Sequence, residues 1–161
     1  MPIIRLRQVK KEIRLLGISI TELTKGLQVV GVVFKGNKSL DGVITTTLVN
    51  EQDLTIHVSD MIKKSKHYNQ IRVIIYDEET LPSASLDPFL LFESTEKPVL
   101  SLSKGDRLDE RFMFKWKEWT IFSAGLGKKD ALGVLDVSTR EDNYPEALRV
   151  ANLVSKGLHN I

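Results

Sequence analysis

The 161-residue sequence predicts one α/β domain, residues 1–161, built on a mixed sheet of antiparallel and parallel strands with helices on both faces. Two observations carry this prediction. Apolar, β-branched runs separated by turn residues fill the first 50 residues, and the remainder alternates between segments of helical period and short apolar runs. Residues 71–76 (IRVIIY) are apolar apart from Arg72, as expected of a strand buried on both faces of a parallel sheet.

The first three strands are predicted to form an antiparallel meander. Residues 13–18 form an apolar run, and residues 27–34 and 40–49 are rich in β-branched side chains. Between the second and third runs lie Gly36 and Asn37, a pair that suits a hairpin turn.

Helical periodicity begins after Asp53, which suits an N-cap, and it leads back to the strand at 71–76. Asp87 and Pro88 suit the start of a second helix, and residues 98–102 suit a short strand. We predict a helix over 108–116, a strand over 119–123, a helix over 128–137 and a final helix over 145–158.

Composition excludes several classes of protein. The chain has no cysteine, which excludes disulfides and thiolate metal sites, and no apolar run approaches the roughly 20 residues of a membrane span. A cytoplasmic protein is the resulting expectation. The net charge of +2 is too small to indicate nucleic acid by itself.

The order β-β-β-α-β-α-β is that of ribonuclease H-like folds. Right-handed crossovers then place the fourth strand beside the first, so that Ser19 and Asp77, which follow the two apolar runs, are predicted neighbours. Ligands of open α/β sheets bind at such carboxyl ends of strands.

Acidic residues follow one of these strands only. Asp77, Glu78 and Glu79 come directly after 71–76, whereas 13–18 runs into Ser19 without an acid. Asp77 is the candidate catalytic residue, and Asp77, Glu78 and Asp41 are candidate ligands of Mg²⁺ or Mn²⁺, because several carboxylates must offset the charge of such an ion. An exposed turn is the alternative for 77–79, and a hairpin end is the alternative for Asp41.

Basic residues are candidates for contacts with the phosphates of DNA or RNA. They cluster near the N-terminus, where Arg5 and Arg7 also lie, and at the end of the first predicted helix: Lys10, Lys11, Arg14, Lys63, Lys64, Lys66 and His67. A solvated surface is the alternative for these residues, and core packing is the expected role of Trp116 and Trp119.

The same residues also resemble a protein family. Residues 12–18 (EIRLLGI), 29–34 (VVGVVF), 40–43 (LDGV), 65–67 (SKH) ahead of 71–75, and 143–151 (NYPEALRVA) look like a largely uncharacterised archaeal family related to endonuclease V, some of whose members are regarded as deoxyuridine-directed endonucleases. This resemblance implies a ribonuclease H-like fold and a lineage of metal-dependent phosphodiester cleavage.

The departures from the family pattern fall where chemistry is expected. An Asp-Asp-Gly segment of the family is replaced by residues 19–21 (SIT), and the glycine-containing segment after Asp77 is replaced by residues 78–82 (EETLP). An arginine typical of the segment before the last helix is shifted or lost around 140–142 (RED).

Two functional classes remain. The first is a Mg²⁺-dependent endonuclease of the endonuclease V type, with cleavage weakened or lost because Ser19 replaces the expected aspartate. The second is a non-catalytic module on the same fold that binds a protein partner or a second copy of the chain.

Overall fold

The computed structural model describes residues 3–6, 8–49, 53–81, 85–105, 111–140 and 143–159. In this part of the chain the strands are β1 (Arg14–Leu23), β2 (Gly26–Lys35), β3 (Ser39–Leu48), β4 (Val73–Asp77), β5 (Val99–Ser103), β6 (Met113–Trp116) and β7 (Trp119–Ala124). The helices are α1 (Leu54–Lys64), α2 (Pro88–Thr95), α3 (Lys128–Val137) and α4 (Glu146–His159), with a short 3₁₀ turn at Glu78–Thr80.

All seven strands form one sheet in the order β3-β2-β1-β4-β5-β7-β6. The first three strands are an antiparallel meander, as predicted, and β1, β4 and β5 are mutually parallel. A β6–β7 hairpin then continues the sheet, with β7 antiparallel to β5. The predicted mixed sheet of ribonuclease H-like type is confirmed.

Helices cover both faces of the sheet, because alternate residues of the central strands are apolar on each side. On one face, side chains such as Leu15, Val73 and Ile75 pack with buried residues of α3 and α4. On the other face, side chains such as Leu16 and Ile74 pack with buried residues of α1 and α2. Both cores meet along β1 and β4, which therefore hold the centre of the molecule.

One local prediction is wrong, and another is right only in position. The predicted helix over 108–116 is strand β6 in its last four residues, which pair with β7; Leu108 lies outside the described residues. The turn between the two strands is formed by Lys117, which has a φ of 55°, and Glu118. It therefore contains no glycine or asparagine that would have indicated a hairpin. Asp53 precedes α1 as predicted, but it has a φ of 61° and its side chain accepts no capping hydrogen bond.

Capping at the second helix agrees with the prediction. Asp87 accepts hydrogen bonds from the backbone N–H groups of Phe89 and Leu90, and Pro88 occupies the first turn. Trp116 and Trp119 are buried core residues, also as predicted. Within the described ranges, no helix has the length and apolarity needed to cross a membrane.

Candidate functional site

The candidate site lies where β1 and β4 run side by side. Their parallel register pairs Leu15 with Val73 and continues to Ile18 with Tyr76, so Ser19 and Asp77 are the next residues on adjacent strands. The predicted topology is confirmed, since no strand separates the two. The first strand does not end at Ile18, however: it runs on to Leu23, and Ser19 lies inside it, paired with Val30 of β2.

The carboxylate of Asp77 is held on both oxygens. Its Oδ1 accepts a hydrogen bond of 2.9 Å from the backbone N–H of Glu79, and its Oδ2 accepts one of 2.7 Å from the hydroxyl of Tyr144. The Nδ2 of Asn152, on α4, donates to the same tyrosine hydroxyl at 3.1 Å. Asp77 is 3% exposed. Its side chain therefore caps the 3₁₀ turn and ties β4 to the start of α4.

Burial dominates the electrostatics of this cluster. It raises the pKa of the Asp77 carboxyl above its usual range, while the hydrogen bonds from Tyr144 and Glu79 act in the opposite direction. The pKa of the Tyr144 hydroxyl is also raised, by burial and by the hydrogen bond to Asp77. The hydroxyl stays protonated at neutral pH and serves as a donor.

Glu78 begins the 3₁₀ turn that Asp77 caps. Its half-buried carboxyl has a raised pKa, first because of burial. The ring of Tyr76, which precedes Asp77 on β4, belongs to the core under α1 and α2, and its hydroxyl donates to the Leu86 carbonyl. Asp77 follows Tyr76 on the strand, so its side chain points to the opposite face, toward Tyr144. Glu79 is exposed and meets Asp77 through its backbone N–H.

Asp41 is not brought to Asp77. Its Oδ2 accepts a hydrogen bond of 2.7 Å from Nε of Arg14, at the beginning of β1. Asp77 lies beside Ser19, five residues further along β1, which corresponds to roughly 16 Å at a strand rise of about 3.3 Å per residue. The structure thus separates the two predicted carboxylate ligands.

The two groups of predicted basic residues lie at the same end of the sheet, opposite Asp77. Lys10, Lys11 and Arg14 lead into β1, and Lys63, Lys64, Lys66 and His67 end α1 and lead toward β4. Since β1 and β4 are parallel neighbours, both segments lie where these strands begin. Arg14 pairs with Asp41, Lys63 with Asp60 at 3.9 Å, and the His67 ring packs against Gly42. Arg7 lies outside the described residues.

The described residues do not fit the divalent metal that the resemblance implies. Both oxygens of Asp77 accept protein hydrogen bonds, and a serine lies beside it on β1. Burial also raises the pKa of the Glu78 carboxyl and so disfavours its charged form. In the same part of the chain, no three Asp, Glu, His or Cys side chains form a group that could hold a metal ion. Of the segment 140–142, only Arg140 is described, and it donates to the carbonyls of Asn37 and Lys38.

Tyr144 and Asn152 were not among the residues predicted for this site. The sequence places Tyr144 directly before Pro145, at the entry to the last helix, where a tyrosine usually indicates packing. Its packing is real, since the ring lies 5.7 Å from that of Trp119. Its hydroxyl donates to Asp77 because α4 packs against β4, and the sequence does not indicate this tertiary contact.

Comparisons with known proteins give relatives over nearly the full length. The chain is 32% identical to a UPF0215 protein of Methanopyrus kandleri, over 96% of this chain and 95% of that relative. It is 30% identical to a UPF0215 protein of Methanothermobacter thermautotrophicus, over 94% and 90%. No protein-family model matches the chain.

Solved structures show the same fold. A protein of unknown function from Archaeoglobus fulgidus superposes with a TM-score of 0.79 at 22% identity, covering 90% of this chain and 97% of that one. Endonuclease V of Ciona intestinalis, solved with a 24mer DNA containing an inosine followed by a ribo-adenosine, superposes with a TM-score of 0.66 at 12% identity, covering 91% and 86%. The chain therefore shares the fold of endonuclease V.

Proposed function

Since the chain belongs to the UPF0215 family of archaeal proteins, we propose that it is a nucleic-acid-associated protein of the endonuclease V lineage in which metal-dependent cleavage has been weakened or lost. The relationship to endonuclease V rests on the shared fold. A cytoplasmic location is part of the proposal and is supported by the absence of cysteine.

One observation carries the loss of cleavage: the hydroxyl of Tyr144 donates to Asp77 Oδ2 at 2.7 Å. A carboxylate that binds Mg²⁺ or Mn²⁺ must offer an oxygen lone pair and negative charge to the ion. At Asp77 both oxygens already accept protein hydrogen bonds, and burial disfavours the charged form. The position beside Asp77 on β1 is Ser19, which offers no carboxylate to share the ion's charge.

Association with nucleic acid is supported by the lineage and by charge. The Ciona endonuclease V of the same fold was solved with bound DNA. This chain gathers its basic segments at one end of the sheet. Cations concentrated on one surface attract phosphates and release counterions when these bind.

A two-part assay tests the proposal. Fluorescence anisotropy with labelled single-stranded and duplex DNA and RNA, over a salt series, should show binding that weakens as salt rises. Incubation of inosine-containing DNA with Mg²⁺ or Mn²⁺ should give no more product than a matched reaction with Asp77→Ala. Metal-dependent cleavage that disappears in Asp77→Ala would contradict the loss of cleavage.

A protein-binding role has an observation of its own. Strand β3 forms one edge of the sheet and is ten residues long, and its Leu40 and Val43 are 48% and 41% exposed. Unpaired edge strands are used to add a strand from a partner. Absence of nucleic-acid binding at low salt, together with self-association that a Val43→Lys variant abolishes, would favour this second function.

A further inference from the structure

A groove opens at the end of the sheet where the three parallel strands begin, on the side away from Asp77. Its volume is about 960 Å³. Its lining includes residues 69–72, which lead into β4, residues 96–98, which lead into β5, and Arg14 at the start of β1. The segment from Ile4 to Leu6 forms a further wall, fixed by a hydrogen bond from Ile4 N–H to the Gly125 carbonyl and by one from Leu6 N–H to Asp130.

Positive charge dominates this lining. A basic residue lies at the start of each of the three parallel strands. Arg14 is the first residue of β1, Arg72 directly precedes β4, and Lys97 lies two residues before β5. Parallel neighbouring strands begin at the same end of the sheet, about 4.8 Å apart, so the fold brings these cations together. Arg5 and Lys10 add to them, against two acids in the lining, Glu12 and Glu96.

These cations are poorly neutralised by the protein. Among the described residues, Arg14 has an ion pair, with Asp41, whereas no carboxylate lies within 4.0 Å of the charged groups of Arg5, Lys10, Arg72 or Lys97. The pKa of Lys97 is lowered by its partial burial and then by the charge of Arg72, partly offset by Glu96. Its ammonium lies over the Tyr68 ring, 4.5 Å from the centroid. Bound anions would relieve this repulsion.

We propose that this groove binds a single strand of nucleic acid, with phosphates on its cationic rim and bases against its apolar wall. The half-buried side chains of Ile4 and Leu6 provide that wall. A duplex has its bases stacked inside and presents phosphates to the protein, so it would leave the wall uncovered. A strand with unstacked bases covers both parts. The inference rests on the proposed association with nucleic acid and assigns it to the opposite end of the sheet from Asp77.

Two matched charge reversals test the assignment. Arg5→Glu with Arg72→Glu changes two exposed cations of the groove, and Lys25→Glu with Lys104→Glu changes two exposed lysines at the Asp77 end of the sheet. Both variants change the net charge equally. The probes are a labelled oligothymidylate and an oligouridylate of about 15 nucleotides each, within the usual footprint of single-strand binders, and a DNA duplex of the same length.

The groove variant should bind both single strands about tenfold or more weakly at low salt, with a log–log salt slope smaller by roughly 0.7 for each phosphate that is no longer neutralised. The Asp77-end variant should bind nearly as the native chain does, and the native chain should prefer either single strand to the duplex.

Equal weakening of binding in both variants, or greater weakening in the Asp77-end variant, overturns the assignment of binding to the groove while leaving nucleic-acid association intact. Preference for the duplex overturns the single-strand assignment, and no binding by the native chain defeats the proposed function itself. Thermal melts establish that both variants are folded.

Discussion

Tyr144 donates a 2.7 Å hydrogen bond to Oδ2 of Asp77, a residue 67 positions earlier in the chain. The hydrogen bond joins the end of β4 to the loop before α4, at the carboxyl end of a parallel strand where open α/β sheets place their ligands. Asp77 therefore acts as a structural acceptor in this fold. Its replacement and that of its partner have measurable consequences.

Tyr144→Phe should lower the free energy of unfolding at pH 7 by about 1–3 kcal/mol, because a buried carboxylate oxygen loses its donor. The phenylalanine ring keeps its packing against Trp119. Urea unfolding at several pH values measures the effect, and the loss should shrink in acid, where Asp77 is protonated.

Tyr68→Phe is the matched control, since the Tyr68 hydroxyl donates to a neutral acceptor, the Thr95 carbonyl. This substitution should lower the free energy of unfolding by about 0.5–1.5 kcal/mol, and the loss should not depend on pH. Equal and pH-independent losses in the two variants would show that Asp77 is not a charged acceptor at neutral pH.

Asp77→Asn should change how stability depends on pH. Burial raises the folded-state pKa of Asp77 above its unfolded value, so the aspartate's contribution is fully present below the unfolded pKa and is lost as pH rises through the folded pKa. Asparagine does not titrate, and its amide still offers an oxygen to the Glu79 N–H. The variant should therefore gain stability relative to the native chain as the pH rises from about 4, the usual pKa of an aspartate, through the folded-state pKa of Asp77. A stability difference that is constant across this range would be inconsistent with a raised pKa.

Restoring a metal site should require two changes. Ser19→Asp supplies a carboxylate beside Asp77, but Tyr144 still occupies Oδ2, so this variant alone should melt at the same temperature with and without Mn²⁺. Adding Tyr144→Phe frees that oxygen, and Mn²⁺ should then raise the melting temperature by mass action. Tyr144→Phe alone is the control. A metal response in the Ser19→Asp single variant would show that Tyr144 does not block the position.

Much of the fold could be predicted because its signals are local. The continuous apolar run at 71–76 and the hairpin pair Gly36 and Asn37 each reflect a nearby physical preference, and both lie in the expected structures. The β6–β7 hairpin could not be predicted in this way, because Lys117 adopts a positive φ without glycine or asparagine to indicate it.

The candidate site could be predicted only in part, because its hydrogen bonds and ion pairs join distant segments. The neighbours Ser19 and Asp77 follow from crossover handedness, which is a rule of topology. The pairing of Asp41 with Arg14 and of Asp77 with Tyr144 depends on which side chains meet across elements. The sequence did indicate that Arg72 and Lys97 lie close together. Each lies just before a parallel strand, and parallel strands begin at the same end of the sheet.

Gly17→Ala should test how closely α4 lies against β1, which is the packing that brings Tyr144 to Asp77. A Cβ at Gly17 would lie 2.6 Å from the carbonyl oxygen of Ala147 and 2.9 Å from its Cβ, and a backbone atom cannot turn aside as a flexible side chain can. The helix must shift, so we expect a loss of about 1–3 kcal/mol in the free energy of unfolding.

Gly157→Ala, also in α4, is the control: nothing lies within 4 Å of its added Cβ, so it should stabilise the helix by about 0.5–1 kcal/mol. Denaturant titrations of both variants measure these changes. If Gly17→Ala unfolds like the native chain, α4 does not approach β1 as closely as described, and the hydrogen bond from Tyr144 to Asp77 is without its support.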